Sequence, residues 1–208
     1  MTKNFVSNKD ETVRMFENNF LEACSKVHFS VPLIIFLPII FMFLYYAVSL
    51  WGMGFWLIIK LIGLGIVVWT FAEYILHRFI FHYQPSSEFG KKMHFIFHGV
   101  HHDYPSDSHR LVMPASVSLP LATLFYSLFY ILIGREMVYP FMAGFLIGYL
   151  FYDMTHYAVH HFNMHSKFWL AIKNHHMKHH FQDSTLGFGV SSPVWDKIIG
   201  TDFPGKVK

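Results

Sequence analysis

Apolar and polar positions segregate along this chain in whole segments rather than at single positions. Val31 to Leu50 carries no charge and has about the ~20 residues that cross a bilayer. Trp51-Gly52-Met53-Gly54 interrupts the run, and Phe55 to Phe71 follows with Lys60 as its only charge. A second uncharged run extends from Pro114 to Ile133, then a short Gly134-Arg135-Glu136 turn, then Tyr139 to Tyr152. Four such runs exceed what the remaining polar residues could cover in a soluble fold. The pattern predicts an all-α integral membrane domain of four helices in two hairpins, spanning about 31–50, 55–76, 114–133 and 138–160. Residues 1–30 differ: they are charged and amphipathic, with Phe16, Phe20 and Leu21 flanked by Arg14, Glu17 and Glu22. They read as a helix lying in the membrane interface, not as a cleavable signal. Residues 31–208 form one domain, with 77–113 and 161–208 as its cap.

Charge then orients this architecture. The connections within each hairpin are short and carry little positive charge, with Arg135 the exception. Nearly all other Lys and Arg lie in the N-terminal segment, between Arg78 and Arg110, and in the tail. The positive-inside rule puts these three regions, and both termini, in the cytosol. That is the inner membrane of a bacterium or the endoplasmic reticulum membrane of a eukaryote. The net charge of +3, without a basic run, argues against a nucleic-acid partner. A single cysteine, Cys24, excludes an intrachain disulfide framework and a Cys-rich zinc module.

Histidine changes the picture most. Of 16 in the chain, most fall in four clusters: HRFIFH, HFIFHGVHH, YDMTHYAVHH and HHMKHH. All four lie on the cytosolic side, at similar depth. His98, His101 and His102 stand at i, i+3 and i+4, which stacks three imidazoles on one helical face, and His176, His179 and His180 repeat this. His156 and His160 are one turn apart. His77 and His82, five apart, do not share an α-helical face, so the helix is expected to fray or tighten between them. Ten such ligands are too many for one metal ion and suit two. His28, His94, His109, His161, His165 and His175 remain as surface or supporting residues.

These motifs, with FENNFLEACSKVHFSVP and HFQDSTLGFGVSSPVWDKIIGT around them, resemble the fatty acid 2-hydroxylases of the fatty acid hydroxylase superfamily. The resemblance covers nearly the whole chain in order. It implies a four-helix membrane domain under a cytosolic cap, with metal ligands His77, His82, His98, His101, His102, His156, His160, His176, His179 and His180. It further implies hydroxylation at C2 of an acyl chain, with a sphingolipid or ceramide as the membrane lipid partner. Many members carry a fused haem domain marked by His-Pro-Gly-Gly. That motif is absent from this sequence, so electrons are expected from a separate donor, a b-type cytochrome or a ferredoxin with its reductase.

All-nitrogen coordination suits iron, zinc or copper. Oxidising an unactivated carbon needs O2 and a redox metal, so diiron is the expected working form, and zinc would be an inactive occupant on purification. Supporting residues follow from periodicity. Tyr149, Tyr152 and Asp153 share a face with His156 and His160, with Asp153 placed to orient an imidazole. Glu73 stands one turn before His77 and is expected to hold that ring. Arg110 and Lys178 are weaker candidates for a head-group contact, and LGFGVSSPVWDKIIGT is expected to close the tail over the site. Rival readings are a desaturase or sterol-type oxidase on the same scaffold, and a metal transporter. A transporter's ligands belong near mid-membrane, where these spans hold no histidine.

Overall fold

The computed structural model describes residues 4–204. The first three residues of the expected interfacial segment and the last four of the expected domain lie outside them. Every regular element among the described residues is helical. In order they are α1 (Asn19–Cys24), α2 (Val31–Ser49), α3 (Phe55–Ile75), a π-helical turn (Leu76–Phe81), α4 (Glu88–His94), a second π-turn (Phe95–Gly99), α5 (Val100–Asp103), α6 (Ala115–His161), α7 (Lys167–Phe181) and α8 (Val194–Ile199). Three are long and apolar enough to cross a membrane: Val31–Ser49, Phe55–Phe81 including the π-turn, and Ala115–His161.

The third of these contains both runs of the expected second hairpin. A straight helix of 47 residues would be about 70 Å long at ~1.5 Å per residue, twice a hydrocarbon core. The chain does not run straight. Gly134 breaks the helical geometry at φ +80°, ψ 169°, a conformation that an L side chain resists. Phe129 meets Phe141 at 4.7 Å and Phe145 at 5.1 Å between ring centroids. Residues twelve apart on a straight helix would be about 18 Å apart. The chain therefore reverses at Gly134, and the arms on either side pack on each other through these rings.

The second arm of α6 seats directly on α3. A Cβ at Gly65 would lie 2.1 Å from the Phe141 carbonyl oxygen, and one at Gly144 would lie 2.1 Å from that of Ile62. Only glycine permits this backbone approach, the device by which helices pack closely where lipid removes the usual hydrophobic drive. Trp69 then fills the next layer, with its ring 5.0 Å from Phe145 and 5.3 Å from Tyr149. Phe36 of α2 closes the other side on Tyr149 at 5.1 Å. Contacts rise together along both helices, Ile62 to Gly144 and Trp69 to Gly148, so they run parallel. Their C-terminal ends, carrying His77 and His156, emerge side by side.

The N-terminal segment departs from expectation. Only Asn19–Cys24 is helical, started by the Asn18 side chain accepting from the Phe20 and Leu21 amides. The rest is an extended arm laid across the cap. Val6 and Ser7 donate to the Asp103 carbonyl, and Val27 donates to that of His109. The reason lies in Glu22, expected on the polar flank of a helix but buried at 7% exposure. Its carboxylate accepts from the Met15 and Phe16 amides at 3.0 and 3.1 Å and pairs with Arg110 at 2.7 Å. Arg110 also donates to Ser25 Oγ and the Val13 carbonyl. It anchors the arm and is not free to read a head group.

Candidate metal centre

The site begins where α3 changes character. Leu76–Phe81 widens into a π-helix, with the His82 amide donating to the His77 carbonyl at 3.1 Å. The i→i+5 repeat of such a turn brings residues five apart onto one face, so the two rings sit 4.9 Å apart. The helix neither frays nor tightens between them; it widens, because that is the geometry in which a spacing of five converges. A second π-turn, Phe95–Gly99, delivers His98 ahead of α5. α7 starts at Ser166, whose hydroxyl accepts from the Trp169 amide, and carries the tail histidines back over both.

Ten histidines converge here as two groups of five. His77, His82, His98, His102 and His179 form the first, and His101, His156, His160, His176 and His180 the second. Within each group the facing ring nitrogens all lie within 4.8 Å of one another. The closest approaches are between Nε2 atoms: His77–His98 and His98–His102 at 3.1 Å, and His82–His179 at 2.9 Å. In the second group His101–His156 stands at 2.9 Å, His160–His176 at 3.0 Å and His176–His180 at 3.1 Å. Nitrogens bound at about 2.1 Å to one ion stand about 3 Å from their neighbours. The spacing fits.

The sequence motifs do not map one to one onto the groups. Each HxxHH triad gives its outer pair to one group and its middle histidine to the other. His98 and His102 enter the first and His101 the second; His176 and His180 enter the second and His179 the first. The groups abut, with the His102 and His180 rings stacked at 4.3 Å. The other histidines lie outside both groups; His175 faces Asp196 instead.

Protonation favours metal binding. Burial, reinforced by the charge each ring would place on its neighbours, holds His98, His101, His102, His176 and His180 well below the ordinary histidine range. The same causes bring His82 to about 2. Burial brings His179 to about 4, partly offset by its bond to the Leu186 carbonyl. These imidazoles are neutral. The Phe188 carbonyl accepts from His77 Nδ1 at 2.5 Å and the Leu186 carbonyl from His179 Nδ1 at 2.7 Å. Each bond fixes the proton on Nδ1 and turns the Nε2 lone pair inward.

The supporting residues act less directly than their spacing implied. Glu73 makes no hydrogen bond to His77 among the described residues. It accepts from the Val190 and Ser191 amides at 2.8 Å each and from the Ser191 hydroxyl, holding the segment whose Phe188 carbonyl grips the ring. Asp153 likewise makes no hydrogen bond to an imidazole among the described residues; it accepts from the Tyr149 hydroxyl at 3.0 Å and the Met113 amide at 3.4 Å. Tyr149 is core, while Tyr152 stacks near His156 at 5.8 Å. Asp196, Ser191 and the two carbonyls all lie in LGFGVSSPVWDKIIGT, the stretch expected to close over the site, but their individual roles were not legible: the carboxylate accepts from backbone amides, and a backbone oxygen has no side-chain signature.

One cavity of about 310 Å³ reaches the centre, touching His98, His101, His156 and Tyr152. Its walls are mostly apolar, from Phe97, Val112 and Met113 on the cap and Phe16, Phe20 and Leu21 on the arm. That is the low end of ligand-binding clefts, ~300–1,000 Å³.

The fatty acid hydroxylase family model matches residues 62–201, which include all ten clustered histidines. The chain belongs to this family. It is 35% identical over 189 residues to the ceramide very long chain fatty acid hydroxylase scs7 of Schizosaccharomyces pombe, covering 89% of this chain and 54% of that one. It is 35% identical over 196 residues to the dihydroceramide fatty acyl 2-hydroxylase FAH2 of Arabidopsis thaliana, covering 94% and 81%. A solved structure described as full-length scs7p, with only the hydroxylase domain visible, superposes with a TM-score of 0.84 at 36% identity, covering 89% of this chain and 70% of that one. The chain thus spans about half the length of the fission-yeast family member and four-fifths of the plant one.

Proposed function

We propose that this chain hydroxylates C2 of a membrane-borne acyl chain, the N-acyl chain of a ceramide-type lipid, using O2 and two metal ions. The observation that carries the reading is the juxtaposition of two five-histidine groups with one apolar cavity. The chemistry named for the relatives supports the substrate. The ligands are the ten histidines, five to each ion. When bound, a pair of redox-active ions supplies activation of O2; zinc fits the same nitrogens but has no accessible redox step.

The chain's own residues do the rest. The Phe188 and Leu186 carbonyls hold the protons of His77 and His179 on the outer nitrogens, so those rings stay aimed inward. Phe97, Val112, Met113 and the arm's Phe16 and Phe20 exclude water and accept the alkyl chain. Tyr152, on the cavity wall beside His156, is assigned to the acyl head. Its hydroxyl orients the bond next to the carbonyl rather than one further along the chain.

Four crossings, with the reversal at Gly134 outside, put the histidine ends of α3 and α6 and the Lys- and Arg-bearing cap in the cytosol. The membrane is the bacterial inner membrane or the endoplasmic reticulum. Residues 1–30 are assigned to an N-terminal segment, described from residue 4 as the arm with α1, and residues 31–208 to the hydroxylase domain. No His-Pro-Gly-Gly haem motif occurs in the 208 residues, so electrons come from a donor outside this sequence, a b-type cytochrome or a ferredoxin with its reductase.

Lipid mass spectrometry of a host expressing the intact chain, against one expressing His179→Ala, tests the reading. The expected result is one added oxygen on the acyl part of ceramides with the intact chain alone. Loss of two hydrogens instead would reassign it as a desaturase, and unchanged lipids would refute it.

A further inference from the structure

The two histidine groups are alike in make-up but not in support. In the first, His77 and His179 each have the outer nitrogen bonded to a backbone carbonyl, Phe188 at 2.5 Å and Leu186 at 2.7 Å. In the second, Nδ1 of His156, His176 and His180 is buried without a protein partner among the described residues.

Both carbonyls belong to one strap, residues 186–191, and two carboxylates clamp it. Asp196, fully buried, accepts from the Phe188 amide at 2.9 Å and the Gly189 amide at 2.8 Å. It also accepts from the Thr201 hydroxyl at 2.8 Å, while the Thr201 carbonyl receives the Gly187 amide at 2.9 Å. Glu73 of α3 takes the next two amides, Val190 and Ser191. Neither carboxylate has a hydrogen bond to a ring of the first group, so both act through the carbonyls.

An imidazole whose outer N–H is bound keeps its tautomer and aim, and losing such a partner costs about 10–100-fold in metal affinity. We propose that the strap makes the two metal positions inequivalent, with Asp196 as the positioning residue. The ion held by His77, His82, His98, His102 and His179 is the tight one. The ion held by the second group is exchangeable. The inference rests on the reading that each group takes one ion.

The test is zinc release from the purified, zinc-loaded full chain challenged with EDTA, followed as ions per chain against time. The wild type should release two ions in two phases, and His156→Ala should lack the fast phase while keeping the slow one. Asp196→Asn keeps the shape but turns an NH2 toward an amide that needs an acceptor. It should speed the slow phase about 10–100-fold and leave the fast phase unchanged. His156→Ala combined with Asp196→Asn should lose its single ion at the accelerated rate.

Ser191→Ala removes one of the three donors to Glu73 and touches neither carbonyl; it should speed the slow phase a few-fold. If Asp196→Asn fails to fold, Ser191→Ala decides: acceleration confined to the slow phase supports the proposal, and unchanged or uniformly faster release overturns it. Two ions leaving together from the wild type, or a slow phase lost in His156→Ala, also overturns it. Loading with one ion or none removes the two-metal reading itself.

Discussion

Glu73 sits inside the longest structural chain of the site, and replacing it gives a quantitative expectation. In Glu73→Ala, the Val190 and Ser191 amides and the Ser191 hydroxyl lose their acceptor in a buried place. A stranded buried donor costs about 1–3 kcal/mol. The hydroxyl can turn elsewhere but the amides cannot, so the strap should be weakened by about 4 kcal/mol. That raises its open population about a thousandfold. Glu73→Gln keeps one oxygen for the amides and offers its NH2 to the hydroxyl, forfeiting only charge assistance, about 1 kcal/mol.

Hydrogen exchange in detergent reads this, but not at Val190 and Ser191, whose bonds are removed outright. The informative amides are Phe188 and Gly189, which are bonded to Asp196 and not to Glu73. If the strap opens as one unit, they should exchange about a thousandfold faster in the Ala variant and five- to tenfold faster in the Gln variant. Wild-type exchange at Phe188 and Gly189, with acceleration confined to Val190 and Ser191, would refute the strap as a single clamp.

Other expectations concern the ligands, the helix seam and the arm. Because the triads are shared, His102→Ala with His179→Ala should cost one ion per chain and His101→Ala with His102→Ala both, read by metal analysis; equal losses would dismiss the grouping. Gly144→Val should separate α3 from α6 and cost more than ~3 kcal/mol. Gly63→Ala, with nothing within 4 Å of its added carbon, should be nearly neutral, and thermal midpoints in detergent compare the two. Burial alone would raise the Glu22 carboxyl, but the Met15 and Phe16 amides, Lys26 and Arg110 outweigh it and hold it at about 2, below its ordinary 4.5. Its anchoring is therefore complete above pH 4.5 and fades as the pH falls toward 2. Cleavage of the arm by an acid-active protease should rise over that window and shift toward neutral pH in Arg110→Gln.

What could be read from the sequence was what side-chain type and period record. Uncharged runs gave the apolar helices, and the HxxHH, HxxxH and HxxxxH spacings together picked out the ten histidines that converge. What could not be read depends on backbone geometry or partners distant along the chain. A spacing of five between His77 and His82 signals a break only if the helix is assumed to be α. His98 faces His77 and His101 faces His156, partners 21 and 55 residues away that no local window contains. Glu73 stands one turn from His77 and suggested a direct bond, whereas its partners lie more than a hundred residues later. Glu22 looked like the wet side of a helix because Arg110, which buries it, is 88 residues away.

The sharing of histidines between clusters also bears on how the protein is made. When α6 has been synthesised, four of the five histidines of the first group exist, but only three of the second. His176, His179 and His180 ride on one helix, so docking of α7 completes both in a single movement. On the proposed two-metal reading, neither five-histidine group is therefore complete until α7 has docked against the apolar helices. A chain that stalls before His176 can hold neither centre whole.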